Sequence, residues 1–535
     1  MSSVNLHSQD ISKKSKKILV EEFDFINMKS ILKYIILISS TLILGYFIKD
    51  AIALVVVALL FIFCLSKNVF RSIELCLIWL FIFDFYVGQD CFSLEIIHKY
   101  IAKPSFLILL LFIVFVDRIP KTLFKSNFTI FLVLYCVLTF TSSFINHQSP
   151  FALISTIPFF LIFFLLNAKG LTVRNYNSLL NLFVAVGVLQ TVVSYFQVSG
   201  IIPPPTKLMA SADGTKYKWI AGLDDVASGT FGATSSFYTS WYAALISLFL
   251  LLMWSITKKR SYLVFTIICF LQFAMVDSKI ILFVTALMIA YFLFRLYRKR
   301  NIFKINLQKY FFIIVVIIVC SFGFYTAWNS YYTFYGSTNI GNARTSVKSV
   351  FETEIFDAKE TVFKNIGSWG KINGFYSVFT DFIENDPTQL MFGYGIQGYE
   401  YNGKMGYIES KDLGVMQTNN FTNSRSGLIT QFATSGLLGM IFLFTSFYIW
   451  FKSNKSRFNN IFSTLKNNLL SIYLSFSLIA AFLYTISFNC IPLITFSAII
   501  AIYGTLESKY QLAMNLEASI VEDSKPDRIK NNAFA

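Results

Sequence analysis

Apolar runs of about 17 to 22 residues follow one another through most of this chain, and no other feature limits its fold so severely. They lie near 31–48, 50–66, 72–88, 100–116, 127–145, 151–166 and 178–201, then near 237–256, 262–276, 279–297, 311–327, 427–451, 468–488 and 491–507. With 55% hydrophobic and 14% charged residues among 535, a water-soluble fold could not hide that much apolar surface. Lipid must be the solvent. Membrane-spanning strands would alternate over roughly ten residues, and these runs do not. The expected class is therefore an all-α polytopic membrane protein with about fourteen transmembrane helices.

The net charge of +16 would suit nucleic acid if it were clustered on one surface, but its placement excludes that partner. The cations sit in short connections between apolar runs: Lys67 and Arg71, then Arg118, Lys121 and Lys125, then Lys169 and Arg174, then Lys258 to Arg260. Further on come Arg295 to Lys304, and Lys452 to Arg457. Alternate connections are poor in cations, and the one at Asn146-His147-Gln148 has none. Such alternation places the basic connections and both termini in the cytoplasm. The basic N-terminus (Lys13, Lys14, Lys16, Lys17) has no small-residue cleavage site after the first run, so that run is expected to stay as a span.

The expected organisation follows. A tail over 1–30 leads into a bundle of about eleven helices over 31–327, with an outer loop at 202–236. A large outer loop at 328–426 comes next, then about three further helices over 427–507 and a tail over 508–535. Two ionisable groups, Glu74 and Asp84, fall inside spans near their ends. The seven cysteines are scattered, without metal-ligand spacing, and read as small packing residues. Cys91 and Cys490 are the pair near the outer face for which a disulfide is open.

Chemistry is expected in the large loop, the one long polar interval. Within it Val347, Phe351, Ile355, Val362 and Ile366 form an apolar stripe at helical spacing, and Ile372, Phe375, Phe379, Phe382 and Ile383 form another. Two amphipathic helices lying on the outer membrane surface fit both. The glycine-punctuated Phe392-Gly-Tyr-Gly-Ile-Gln-Gly-Tyr399 follows, and Asn423-Ser-Arg425-Ser-Gly ends the loop. The chain has no P-loop, HExxH or GxSxG motif, so nucleotide hydrolysis and zinc chemistry find no support. It does place cations at outer helix starts: Lys279, Arg344 and Arg425. A guanidinium beside free backbone N–H groups suits a phosphate or pyrophosphate.

Three places resemble the bacterial O-antigen polymerase and O-antigen ligase superfamily, integral membrane glycosyltransferases with a large periplasmic loop. Ser228-Gly-Thr-Phe-Gly-Ala-Thr234 is similar to the family's Gly-Thr-Phe-Gly-Asn-Pro-Asn, although the Pro-Asn is missing here. Asp277-Ser-Lys279 stands where the family has Ser-Arg or Ser-Lys before a helix. Asn385-Asp-Pro387 through Gly393-Tyr-Gly395, then Asn423-Ser-Arg425 through Ser435-Gly-Leu-Leu-Gly439, is similar to the family's closing motifs. Arg425 also precedes Gly436 by the Arg–ten residues–Gly spacing of polymerases. The ligases carry a histidine near the end of this loop; here His7, His98 and His147 are the only histidines, none of them in it, which favours polymerase.

The resemblance implies a GT-C-like, metal-independent, cofactor-free glycosyltransferase of the bacterial inner membrane. It would polymerise undecaprenyl-pyrophosphate-linked repeat units into O-antigen or capsular polysaccharide at the periplasmic face. The donor and acceptor glycan lipids and the bilayer would be its partners, with a chain-length regulator protein beside them. Arg425 would act in catalysis with a carboxylate base, Glu384 or Asp386. Lys279, Arg344, Gly393, Gly395, Gly436, Asp224 and Asp225 would bind substrate, and the sequence leaves open which of the four carboxylates takes the proton. Ligase activity, or a flippase moving the lipid-linked glycan, are the alternatives.

Overall fold

The computed structural model describes residues 27–88, 92–94, 96–146, 157–199, 201–203, 206–210, 216–220, 228–232, 236–257, 259–272, 379, 383, 387–395, 432, 434–446 and 448–449. Over these the chain is helical apart from one hairpin. Helix α1 (Met28–Ile48) begins at Asn27, whose side-chain oxygen accepts from the amides of Lys29 and Ser30. A single residue, Lys49 at φ +41°, separates it from α2 (Asp50–Leu65). Helix α3 (Val69–Gly88) follows.

A π-helical turn at Ile97–Ile101 then leads to α4 (Pro104–Phe115), which starts where Pro104 can sit without wasting an N–H. The apolar run expected over 100–116 is thus divided. Short α5 (Lys121–Phe124) and long α6 (Asn127–Ile145) come next; Ser126 caps α6 by accepting from the Thr129 amide. A 3₁₀ turn at Ile157–Phe160 containing Pro158 precedes α7 (Leu161–Leu166), so the described helix is shorter than its apolar run. Helix α8 (Val173–Val198) is capped by Thr172.

The hairpin pairs β1 (Thr206–Ala210) with antiparallel β2 (Lys216–Ile220), Thr206 opposite Ile220 and Ala210 opposite Lys216. Helices α9 (Ser236–Thr257), α10 (Arg260–Phe270), α11 (Pro387–Phe392) and α12 (Thr434–Ser446) complete the described elements. Among the described residues three helices, α1, α6 and most of α8, are long and apolar enough to cross a membrane.

Helix α8 is the centre. It packs against α1, α3, α9 and α10, and 83% of its most apolar window is buried, against 22% for α1. In lipid, apolar side chains gain little by leaving one apolar surface for another, so close approach and polar contacts must join the helices. Gly187 lets α8 approach both α9 and α10: a Cβ there would lie 3.1 Å from the Cys269 sulfur and 3.4 Å from Ile246. Gly45 does the same for α1, where the Tyr86 ring of α3 occupies the space a side chain would need. The Tyr86 hydroxyl then donates to the Thr41 carbonyl at 2.6 Å.

Contacts between helix ends sort into two sets. One joins the Asn27 amide to Asn181, the Lys169 amide to the Arg118 carbonyl, and Glu74 to both Arg71 and Tyr34. The other joins the Asp50 carboxylate to the Ser93 amide, Tyr86 to Thr41, Gln272 to Ser194, and Ser142 to Gly393. Apart from Arg71 and Glu74, which are neighbours on α3, every pair links two elements at ends that serial up-and-down threading puts on the same face. The described cysteines, Cys64, Cys76, Cys136 and Cys269, are unbridged, and Cys91 and Cys490 lie outside the described residues.

Candidate functional site

Two glycine-bearing segments, both belonging to the motifs above, are built into the set of ends that the charge pattern assigns to the outer face. The first is Ser228-Gly-Thr-Phe-Gly232. The sequence places it in an outer loop, but all five residues are buried, Ser228 at 0% and Thr230 and Phe231 at 2% exposure. Irregular backbone buried among helices must find hydrogen-bond partners there, and two glutamines of α8 supply them. The Gln197 amide pairs with both backbone groups of Gly229, accepting from its N–H at 2.8 Å and donating to its carbonyl at 3.0 Å. Gln190 accepts from the Thr230 N–H at 2.7 Å and donates to its hydroxyl at 2.5 Å. That hydroxyl donates onward to the Phe81 carbonyl of α3 at 2.7 Å, and Thr239 of α9 donates to the Ser228 carbonyl at 2.6 Å.

The segment therefore dips into the bundle. Gln190 and Gln197 lie two turns apart on α8 and both reach Gly229, where a Cβ would lie 1.9 Å from the Gln190 Oε1. The segment ends at Gly232, which lies against Asp84, one turn beyond Phe81 on α3. Gly232 has φ +84°, and a Cβ there would lie 2.8 Å from the Asp84 carbonyl oxygen and 2.9 Å from the Asp84 Cβ. Rings pack around the dip: Phe231 lies 5.6 Å from Tyr242 and 6.2 Å from Phe81.

The second segment is a clasp. Gly393 (φ +70°), Gly395 (φ +80°) and Gly436 (φ +60°) all adopt left-handed backbone, where glycine is at little disadvantage. The Gly395 amide donates to the Thr434 carbonyl at 2.8 Å, and the Ser142 hydroxyl at the end of α6 donates to the Gly393 carbonyl at 2.5 Å. Backbone fills the place of each missing side chain. A Cβ at Gly393 would lie 2.4 Å from Thr434, one at Gly395 2.3 Å from Ser143 Cα, and one at Gly436 2.4 Å from the Met391 carbonyl carbon. Tyr394, between the first two glycines, is 2% exposed. Helix α12 then runs along α6, with Gly439 against Leu138 and the Phe131 ring 6.2 Å from Phe442.

No family profile, curated protein or solved structure matches the chain. Of the residues expected at the site, Gly393, Gly395 and Gly436 come together in this clasp. Gly436, expected to bind substrate, admits the backbone of Met391 and Phe392. Arg425, Glu384, Asp386, Lys279, Arg344, Asp224 and Asp225 lie outside the described residues. Of the second apolar stripe, Phe379 stacks on buried Phe432 and Ile383 is exposed. Among the described residues no three His, Cys, Asp or Glu side chains converge as a metal site would require.

Residues the sequence reading passed over hold both segments in place. Gln190, Ser194 and Gln197 recur at helical spacing inside an apolar run, a polar stripe readable as an interior face. Ser142 and Ser143 carried no such signal.

Proposed function

We propose that this protein is a membrane glycosyltransferase that polymerises lipid-pyrophosphate-linked oligosaccharide repeat units at the outer face of a bacterial inner membrane. What carries the reading is the clasp. The two closing motifs of the polymerase resemblance, around Gly393-Tyr-Gly395 and around Ser435-Gly436, are distant in sequence yet meet at one point on the end of α6. About fourteen spans with both termini cytoplasmic complete the proposed architecture.

In the reaction, the hydroxyl of one repeat unit attacks the anomeric carbon of another, and the pyrophosphate leaves with the bonding electrons. Pyrophosphate is a competent leaving group once its charge is held, so arginine and lysine can serve without a metal. Arg425, nine residues before Thr434 in sequence, is assigned to that charge, with Lys279 and Arg344 beside it. Its planar fork matches two phosphate oxygens at once.

A transporter would need polar groups deep in the bundle for its cargo. Two of the buried polar groups, Gln190 and Gln197, are engaged in holding the 228–232 backbone instead. The separating experiment is deletion followed by plasmid complementation, scored as a glycan ladder. A polymerase-null strain keeps single repeat units on its surface; a flippase-null strain shows none. Arg425→Ala at normal membrane abundance is expected to abolish long chains, since loss of one such transition-state contact slows reaction about 10²–10³-fold. Arg425→Lys keeps the charge and loses the fork, so partial activity is expected. A wild-type ladder from Arg425→Ala removes this residue from the site.

A further inference from the structure

Exposed cations gather where four helix ends meet on the face that the charge pattern assigns to the cytoplasm. Arg118 follows α4, Lys121 and Lys125 bracket α5, Lys169 follows α7, and Arg174 stands in the first turn of α8. The fold pins these ends to one another. The Lys169 amide donates to the Arg118 carbonyl at 2.7 Å, and the Tyr176 hydroxyl of α8 donates to the Leu166 carbonyl of α7 at 2.6 Å. The Phe124 ring of α5 stacks on Phe164 of α7, 5.5 Å between centroids. Among the described residues Asp117, 3.8 Å from Arg118 and itself largely exposed, is the one carboxylate paired with any of the five. At the start of α3, by contrast, Glu74 pairs with Arg71. Like charges held close repel, and the helix N-termini beside them add to the positive field, since neither α6 nor α8 has an acidic residue in its first turn. The cluster is built for an anion.

Apolar surface beside the cations tells which anion. Ile113 near the end of α4 is 62% exposed, Val116 just after it 45%, and Phe124, between Lys121 and Lys125, 37%. A soluble phosphate or an acidic protein would use the cations and leave these side chains unmatched. A phospholipid supplies a phosphate for the first and acyl chains for the second, and basic pockets between helices on the cytoplasmic side suit such headgroups. We infer that this shelf binds an anionic phospholipid of the cytoplasmic leaflet. Arg118, Lys121, Lys125 and Lys169 hold its phosphate, and its chains lie along the end of α4. The inference goes beyond the polymerase reading and does not depend on it.

The test uses the purified, delipidated full chain in detergent, with its thermal midpoint read against added phosphatidylglycerol. A ligand that binds the folded protein raises that midpoint. Phosphatidylglycerol is expected to raise it saturably, and phosphatidylcholine or inorganic phosphate to leave it where it was. One cation beside an anionic headgroup is worth about fivefold in affinity, so Lys121→Gln/Lys125→Gln/Lys169→Gln should raise the half-saturating lipid concentration roughly 100-fold. Lys29→Gln/Lys33→Gln/Lys67→Gln removes three exposed cations from other helix ends on the same face and should leave that concentration unchanged. Equal losses from the two triple variants would show a diffuse positive surface and overturn the site. Stabilisation by inorganic phosphate to the same extent would assign a free anion, and stabilisation by phosphatidylcholine an apolar effect; either overturns the proposal, as does a midpoint that phosphatidylglycerol does not move. Lys121→Arg/Lys125→Arg/Lys169→Arg keeps the charge and should keep the affinity. A loss from that variant as well would make these side chains structural and overturn the proposal too.

Discussion

The dip at 228–232 and the clasp at 393–395 both rely on left-handed glycines, but they are secured in opposite ways. The dip is held by side chains: Gln190 and Gln197 stand in for the backbone partners that a helix or sheet would give. The clasp is held largely by the absence of side chains, with backbone meeting backbone at Gly393, Gly395 and Gly436 and Ser142 adding a side-chain bond. Both are therefore vulnerable to atoms added at their glycines, and the dip also to atoms removed from α8.

The largest effect is expected from adding one carbon to the clasp. Gly395→Ala must hold φ +80°, which is unfavourable by about 1–3 kcal/mol for a non-glycine residue, and must also push a Cβ off the Ser143 backbone. Both demands act on one junction, so the clasp should open. A thiol cross-linker joining Asn146→Cys to Gln389→Cys, whose parental side chains lie 3.4 Å apart, should react in the parent background and not with Gly395→Ala. Retained cross-linking would show that the junction tolerates a side chain.

A smaller effect is expected from the dip. Gln190→Ala leaves the Thr230 N–H buried without its acceptor, which destabilises by about 1–3 kcal/mol. Thermal unfolding of the purified full-length protein in detergent should show a lower midpoint, while Gln190→Glu, which keeps an acceptor, should lie between. An unshifted Gln190→Ala would mean that other partners hold the segment.

The smallest change sharpens the comparison. Ser142→Ala removes one hydrogen bond to the Gly393 carbonyl, worth about 0.5–1.5 kcal/mol, and leaves the backbone contacts intact. The same cross-link should still form, more slowly than in the parent. If Ser142→Ala matched Gly395→Ala, the clasp would be a side-chain device like the dip.

The helices were legible because lipid demands long apolar runs, and α1, α6 and α8 follow theirs within a few residues. Breaks within the runs at 100–116 and 151–166 were not read, although Pro104 and Pro158 sit where helix gives way. The motif glycines could be picked out in sequence, but their mutual contact could not, because nothing local in Gly393-Tyr-Gly395 specifies Thr434 as a partner. The burial of the dip was not legible for a related reason. Its composition is that of a turn, and only the polar stripe on a different helix, Gln190 and Gln197, reveals that a turn can be buried there. The cations and carboxylates on which the proposed chemistry rests lie outside the described residues, so for them the sequence pattern stands alone.

The bond between the Gly395 amide and the Thr434 carbonyl has a consequence for how such a protein can change. It makes the interval between these residues a handle fixed to the bundle by one stem. The entropy of closing a loop grows slowly with length, about 0.6 kcal/mol per doubling, and the stem already holds the two ends together. Residues can be inserted into the handle, or a handle of another length grafted on, while α6 and α12 keep their packing. The handle can then be exchanged while the bundle beneath stays as it is.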